Sequence, residues 1–182
     1  MRKLLLLFFL PFLSSSLMAE DRTVSSPDGK LVVTISDNSG SPTYAVTYGG
    51  KQMLQPSALG LRTNIGDFTE SMTFKGAATS NVDKTYENNR IKMSKIHYVA
   101  NRMDLNYENK DSLPMTITFC VSNNDVAYRY TLGRSAKDNP KCAVVYSEAS
   151  AFNFPSQTTT FLCPQITPMM GWERTKPSYE EE

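Results

Sequence analysis

Residues 115–132 read MTITFCVSNNDVAYRYTL. Met115, Ile117, Phe119 and Val121 alternate with Thr116, Thr118 and Cys120. Val126, Tyr128, Tyr130 and Leu132 resume the alternation after Ser122, Asn123, Asn124 and Asp125. Successive strand side chains point to opposite faces, so a period of two marks a strand with one face buried. Asn and Asp tolerate the backbone angles of a tight connection, so the two runs form a hairpin. Working outward, Met103, Leu105 and Tyr107 form a preceding strand that ends in a turn at Glu108–Asp111. Leu31, Val33 and Ile35 form another, as do Tyr44, Val46 and Tyr48. Gly49 and Gly50 then supply the positive φ angles of a two-residue hairpin into Lys51–Leu54. Shorter strands are expected around Leu59 and Leu61, at Met72 and Phe74, at Cys142–Tyr146, at Phe152–Phe154 and at Thr158–Leu162. Residues 83–90 (DKTYENNR) and 133–141 (GRSAKDNPK) read as exposed polar connections.

No run of eleven residues carries helical spacing. Ten or eleven short strands with uneven loops indicate an all-β fold, a large two-sheet β-sandwich with little or no helix after the leader. The absence of a fixed repeat period argues against a propeller or solenoid.

The first residues have a different logic. Met1, Arg2 and Lys3 precede the apolar run LLLLFFLPFL at 4–13, and small residues lead to Ala19. A charged start, a short apolar stretch and a small residue at the cut form a signal peptide over residues 1–19. The run is about half of the roughly 20 residues that a spanning helix needs. The mature domain is therefore expected at 20–182, exported to the periplasm or secreted, with no membrane segment after cleavage. Loss of Arg2 and Lys3 lowers the basic count from 19 to 17 against 18 acidic residues. Nucleic acid requires a concentrated positive field, which this chain lacks, so a neutral partner is expected. Cys120, Cys142 and Cys163 are an odd set in β-rich segments, and read as reduced, buried residues.

Several stretches together resemble the N-terminal domain of glycoside hydrolase family 97. They are SPDGKL at 26–31, PTYAVTY at 42–48, QPSALGL at 55–61, NNDVAYRY at 123–130, EASAFNFP at 148–155 and MMGWERTKPSYEEE at 169–182. The resemblance covers the whole mature chain and rests on the order of these stretches. It implies a supersandwich-like N-terminal domain followed by a (β/α)8 catalytic barrel and a smaller β-domain. It further implies action on α-glucosides or α-galactosides, with inversion or retention, and an active-site calcium held mainly by glutamates. Residues 20–182 end before any β/α alternation, and are expected to be incomplete at the C-terminal end. No catalytic residue and no metal ligand is therefore assigned, and no cofactor is expected for this piece alone.

Glycoside hydrolysis needs two carboxyl groups at a defined separation, about 5–5.5 Å for retention and 6.5–9.5 Å for inversion. Glu70, Asp83, Glu87, Asp104, Glu108, Asp111, Asp125, Glu148 and Glu173 sit in turns or at strand edges and read as solvated charges. His97 and Arg129 read as structural hydrogen-bonding groups. Trp172, Arg174 and Tyr179 are the candidates for substrate binding, since aromatic rings stack on sugar faces and Arg hydrogen-bonds hydroxyls. Packing against a neighbouring domain is the competing role for Trp172. The alternative to a domain of a glycosidase is a stand-alone carbohydrate-binding sandwich; a third reading is an assembly domain that pairs through an edge strand.

Overall fold

A computed structural model describes residues 21–88, 90, 95–133 and 142–161. Among them lie eleven strands: β1 (Arg22–Ser25), β2 (Leu31–Ser36), β3 (Thr43–Tyr48), β4 (Lys51–Ala58), β5 (Leu61–Thr63), β6 (Gly66–Asp67), β7 (Thr73–Glu87), β8 (Lys95–Glu108), β9 (Pro114–Val121), β10 (Val126–Leu132) and β11 (Val145–Glu148). The one helical element among the described residues is a 3-10 turn at Asn38–Gly40. Two four-stranded antiparallel sheets, β1-β2-β3-β4 and β10-β9-β8-β7, face each other. A small three-stranded sheet, β11-β5-β6, accompanies them.

The sandwich follows from the alternation. Val33 and Ile35 of β2, Leu105 and Tyr107 of β8, and Ile117, Phe119 and Val121 of β9 are buried in one apolar core. The hairpin read from residues 115–132 is present, with Val121 opposite Val126 and Met115 opposite Leu132. Its turn is held by Ser122, whose Oγ donates to Asp125 Oδ2 at 2.6 Å and accepts from the Asp125 amide at 3.1 Å. Gly49 and Gly50 adopt φ values of 55° and 80°, as the two-residue turn between β3 and β4 demands. Asn109 closes the β8–β9 turn: its Oδ1 accepts from the amides of Asp111 and Leu113, and its Nδ2 donates to the Asp67 carbonyl.

Several expectations require correction. The strand at Met72 and Phe74 continues for 15 residues as β7, so Asp83–Glu87 is strand rather than loop. These residues pair with β8 from Asp83↔Val99 to Glu87↔Lys95. Almost every residue from Ala77 onward in β7 is exposed, because the β7–β8 ribbon extends past the facing sheet. Backbone pairing holds a strand there with little burial, and the polar composition disguised it. Gly60 lies between strands at φ +135° instead of inside one. The strand expected at Cys142–Tyr146 begins later, at Val145. Phe152–Phe154 contributes only an isolated bridge, Gln55↔Asn153. Thr158–Phe161 forms no strand, and Leu162 lies outside the described residues. Pro155 supplies no amide for a ladder at this point. Cys142 is exposed and unbridged, not buried, since it sits outside any strand; Cys120 is partly buried and also free. Cys163, residues 1–20 and residues 134–141 fall outside the described residues.

One buried polar atom is left without a partner. Tyr107 is buried against Phe74, ring centroids 5.5 Å apart, and its hydroxyl forms no hydrogen bond among the described residues. Burial pushes its pKa up to about 12. An unmet buried hydroxyl costs about 1–3 kcal/mol of desolvation. Tyr107→Phe is therefore expected to leave stability unchanged or raise it by about 1 kcal/mol. A lower urea midpoint for that variant would show that the hydroxyl is satisfied.

Candidate functional site

A cleft of about 770 Å³ opens where the outermost strand of one large sheet approaches the outermost strand of the other. Tyr44 and Val46 of β3 and Met53 and Leu54 of β4 line one side. Val126 and Tyr128 of β10 line the other, and the segment from Phe152 to Thr159 crosses the opening. Alternation places Tyr44 and Tyr128 on the inner faces of their sheets, where they meet with ring centroids 5.4 Å apart. Phe119 lies beneath, 5.7 Å from Tyr44 and 5.6 Å from Tyr128, so the floor is an aromatic cluster at favourable tilted geometry.

Tyr44 and Tyr130 are anchored by the segment that follows β11. The Tyr44 hydroxyl donates to the Ala151 carbonyl at 3.1 Å. The Tyr130 hydroxyl accepts from the Gly60 amide at 2.9 Å and pairs with Ser150 Oγ at 2.6 Å. Asn153 is pinned through its amide to Ser57 Oγ at 2.9 Å, while its carbonyl accepts from the Gln55 amide at 2.8 Å. Burial, reinforced by the neighbouring Tyr128, pushes the Tyr44 phenol well above its usual value. Burial also raises Tyr130, to about 12. Both remain neutral hydrogen-bonding groups at physiological pH.

Among the described residues the lining contains Lys51 as its one charged side chain and holds no Asp, Glu or His. Aromatic and aliphatic side chains form most of the lining, accompanied by the amides of Gln52 and Gln157 and the hydroxyls of Ser156, Thr158 and Thr159.

The carboxylates lie elsewhere. Asp104 sits on the outer face of the second large sheet, where burial would raise its pKa. Thr118 Oγ1 at 2.6 Å and the Arg102 guanidinium at 2.9 Å outweigh that, with help from the Arg129 charge, and hold the carboxyl below its usual range. Arg129 itself is exposed. Glu108 pairs with Lys75 at 2.8 Å and Glu87 with Lys95 at 3.8 Å. His97 Nε2 meets Asp83 Oδ1 at 2.7 Å on the projecting β7–β8 ribbon, with 61% and 73% of the two side chains open to solvent. That is a surface cross-strand pair. Among the described residues no three His, Cys, Asp or Glu side chains converge as a metal site. No helix among them is long and apolar enough to cross a membrane.

Trp172, Arg174, Tyr179 and Glu173 all lie outside the described residues. The cleft residues Tyr44, Tyr128, Phe152 and Phe154 were read from sequence only as strand positions. The available signal was the aromatic pair Tyr128 and Tyr130 on one face of the hairpin, together with the uncharged, aromatic stretch after Glu148.

Comparison with known proteins bears on the family and the fold. Residues 24–182 match the family model described as Glycosyl-hydrolase 97 N-terminal. The chain is 29% identical over 161 residues to a retaining alpha-galactosidase of Bacteroides thetaiotaomicron, covering 87% of this chain and 23% of the relative. It is 26% identical over 157 residues to a probable retaining alpha-galactosidase of Streptomyces bingchenggensis, covering 83% and 24%. A crystal structure of a beta-arabinopyranosidase superposes with a TM-score of 0.80 at 46% identity, covering 90% of this chain and 26% of that one. A family 97 enzyme of Pseudoalteromonas sp. strain K8, solved with panose, superposes with a TM-score of 0.67 at 20% identity, a likeness of fold alone. The chain spans about a quarter of the length of these relatives.

Proposed function

The chain belongs to the glycosyl-hydrolase 97 N-terminal family, and on that premise we propose that it is the non-catalytic front sandwich of an exported glycosidase. In this reading the sandwich packs on a (β/α)8 barrel and shapes the edge of its active-site cleft. The observation that carries the reading is the match of residues 24–182 to the family's N-terminal model, in a chain that spans about a quarter of the length of its relatives. Export rests on the leader-like residues 1–19, and calcium rests on the family resemblance. The described residues hold no cluster to bind that ion, so no step here runs through it.

The substrate class favoured for the parent is the galacto-configured pyranoside. Two relatives carry the name alpha-galactosidase, and the structure at 46% identity is of a beta-arabinopyranosidase. A β-L-arabinopyranoside has the ring stereochemistry of an α-D-galactopyranoside without its hydroxymethyl group, so one pocket suits both. α-Glucosides, which differ at the 4-hydroxyl, are the alternative.

The purified chain is expected to release no nitrophenol from aryl α-galactosides, α-glucosides or β-L-arabinopyranosides, with or without calcium. Calcium-dependent turnover by this chain overturns the non-catalytic reading. A second reading, a stand-alone carbohydrate-binding module, is favoured by the exposed rings of Phe152 and Phe154 beside the cleft. Calorimetric titration with galactosides and maltooligosaccharides separates the two, because only a binding module gives saturable heat.

A further inference from the structure

Four of the stretches that carry the family likeness meet at one place in the fold. Tyr44 of 42–48 donates its hydroxyl to the Ala151 carbonyl at 3.1 Å, and Tyr130 of 123–130 pairs with Ser150 Oγ at 2.6 Å. The backbone adds further ties between 55–61 and 148–155. The Ala149 amide donates to the Gly60 carbonyl at 2.9 Å, and the Ala151 amide to the Ala58 carbonyl at 3.1 Å. The Asn153 amide donates to Ser57 Oγ at 2.9 Å, while its carbonyl accepts the Gln55 amide at 2.8 Å. Residues 149, 151 and 153 are thus tied at alternate positions, as a strand would be, although only Gln55 and Asn153 meet as a β-bridge.

The two sides of this contact are unequal. Ser57 and Tyr44 are buried within the sandwich, whereas no residue from Cys142 to Phe161 is buried. A segment with few buried apolar contacts and many solvent-near hydrogen bonds lies at the low end of local stability. Residues 149–153 are therefore held to a rigid frame by polar ties, and each such bond is individually weak. Ordering the backbone between the ties costs entropy that no single weak bond offsets. The ties must form together.

We infer that residues 149–153 are a latch that opens and closes as one unit while the two large sheets stay folded. Tyr130 is its positioning residue, because one hydroxyl holds both Ser150 Oγ and the Gly60 amide. Phe152 belongs to the latch and Phe154 follows it directly, and both line the cleft. Opening therefore withdraws that wall from the Tyr44 and Tyr128 floor and frees the Tyr44 hydroxyl. Nothing in this depends on the glycosidase reading, because every tie lies between described residues of this chain.

Amide hydrogen exchange of the intact chain, followed residue by residue by NMR, gives the test. The amides of Ala149, Ala151 and Asn153 are expected to share one protection factor, at least about tenfold below that of Leu105 and Ile117 in the central strands β8 and β9. Tyr130→Phe removes a hydroxyl that has no bond to Asn153. It is nevertheless expected to lower protection at all three latch amides on the order of fivefold, the equivalent of one net hydrogen bond, with Leu105 and Ile117 unchanged. Ser150→Ala, at a partly exposed position, is expected to have the same effect and serves if the tyrosine variant fails to fold. Faster exchange confined to Ala149, with Asn153 unaffected, overturns the latch, because the ties then open one by one. Equal acceleration at Leu105 and Ile117 also overturns it, since residues 149–153 would then open only with the whole sandwich.

Discussion

Phe119→Ala is expected to lower the unfolding free energy by about 3–5 kcal/mol, the range for removing a large buried aromatic side chain. Phe119 is completely buried on β9 and contacts Tyr44 of the opposite sheet and Tyr128 of β10. Alanine at this position removes the ring that joins the two sheets and leaves a cavity beneath two tyrosines. Those tyrosines cannot collapse into it freely, since the Tyr44 hydroxyl is tethered to Ala151. A domain of this size has about 5–15 kcal/mol in total, so the variant stands near the limit of folding. Urea unfolding followed by circular dichroism measures the loss. Tyr86→Ala, on the exposed ribbon, is the matched control and is expected to stay within about 0.5 kcal/mol of the parent. A loss below about 1 kcal/mol for Phe119→Ala, the size of an ordinary substitution, would mean that the two sheets are not joined through this ring.

Gly60→Ala is expected to be the most damaging glycine substitution between β4 and β7. Gly60 holds φ at +135°, a region that costs a side-chain-bearing residue about 1–3 kcal/mol. A Cβ there would lie 2.5 Å from the Phe68 carbonyl oxygen and 2.8 Å from Thr69 Cα. That backbone cannot retreat easily, because the Phe68 amide is bonded to the Leu61 carbonyl at 2.9 Å. Gly60 also gives its amide to the Tyr130 hydroxyl and receives the Ala149 amide at its carbonyl. A shift therefore disturbs the anchor of the segment that walls the cleft. Gly76→Ala separates the causes: φ is +147° there, but a Cβ meets nothing within 4 Å. The expected difference between the two variants is about 1–3 kcal/mol, the usual cost of forcing extra atoms into a packed site. Equal losses would reduce the effect at Gly60 to backbone strain.

The hairpin at 115–132 and the strands at 31–36 and 43–48 were legible because one face of each is buried. Burial writes a period of two into the sequence, and the observed register preserves it from Leu31↔Tyr48 to Ser36↔Thr43. The outer half of β7 and the strand portion of 83–87 were not legible. Backbone hydrogen bonds and exposed cross-strand pairs such as His97–Asp83 sustain that ribbon, and neither writes an apolar alternation into the sequence. The isolated contact of Asn153 with Gln55 was likewise hidden. Segments 96 or more positions apart meet there through Ser57 and backbone groups, with no apolar alternation to announce it.

The candidate site divides the same way. Composition and the order of family-like stretches were enough to indicate a sandwich of a glycosidase, and residues 24–182 match that family. The cleft was different, since Tyr44 and Tyr128 are 84 positions apart in sequence and nothing local says that their rings meet.

The sequence by itself therefore determined the all-β class, the main strands, the two principal turns and the family. Those depend on local periodicity, on glycine and asparagine backbone freedom, and on residue order. Only the tertiary structure decided which strands stand at the sheet edges, where Gly60 turns the chain, and that Tyr44, Phe119 and Tyr128 form the floor of a cleft. Those outcomes arise when two sheets pack and distant side chains compete for the same buried volume. A one-dimensional pattern records that a residue is buried, and not which residue it is buried against.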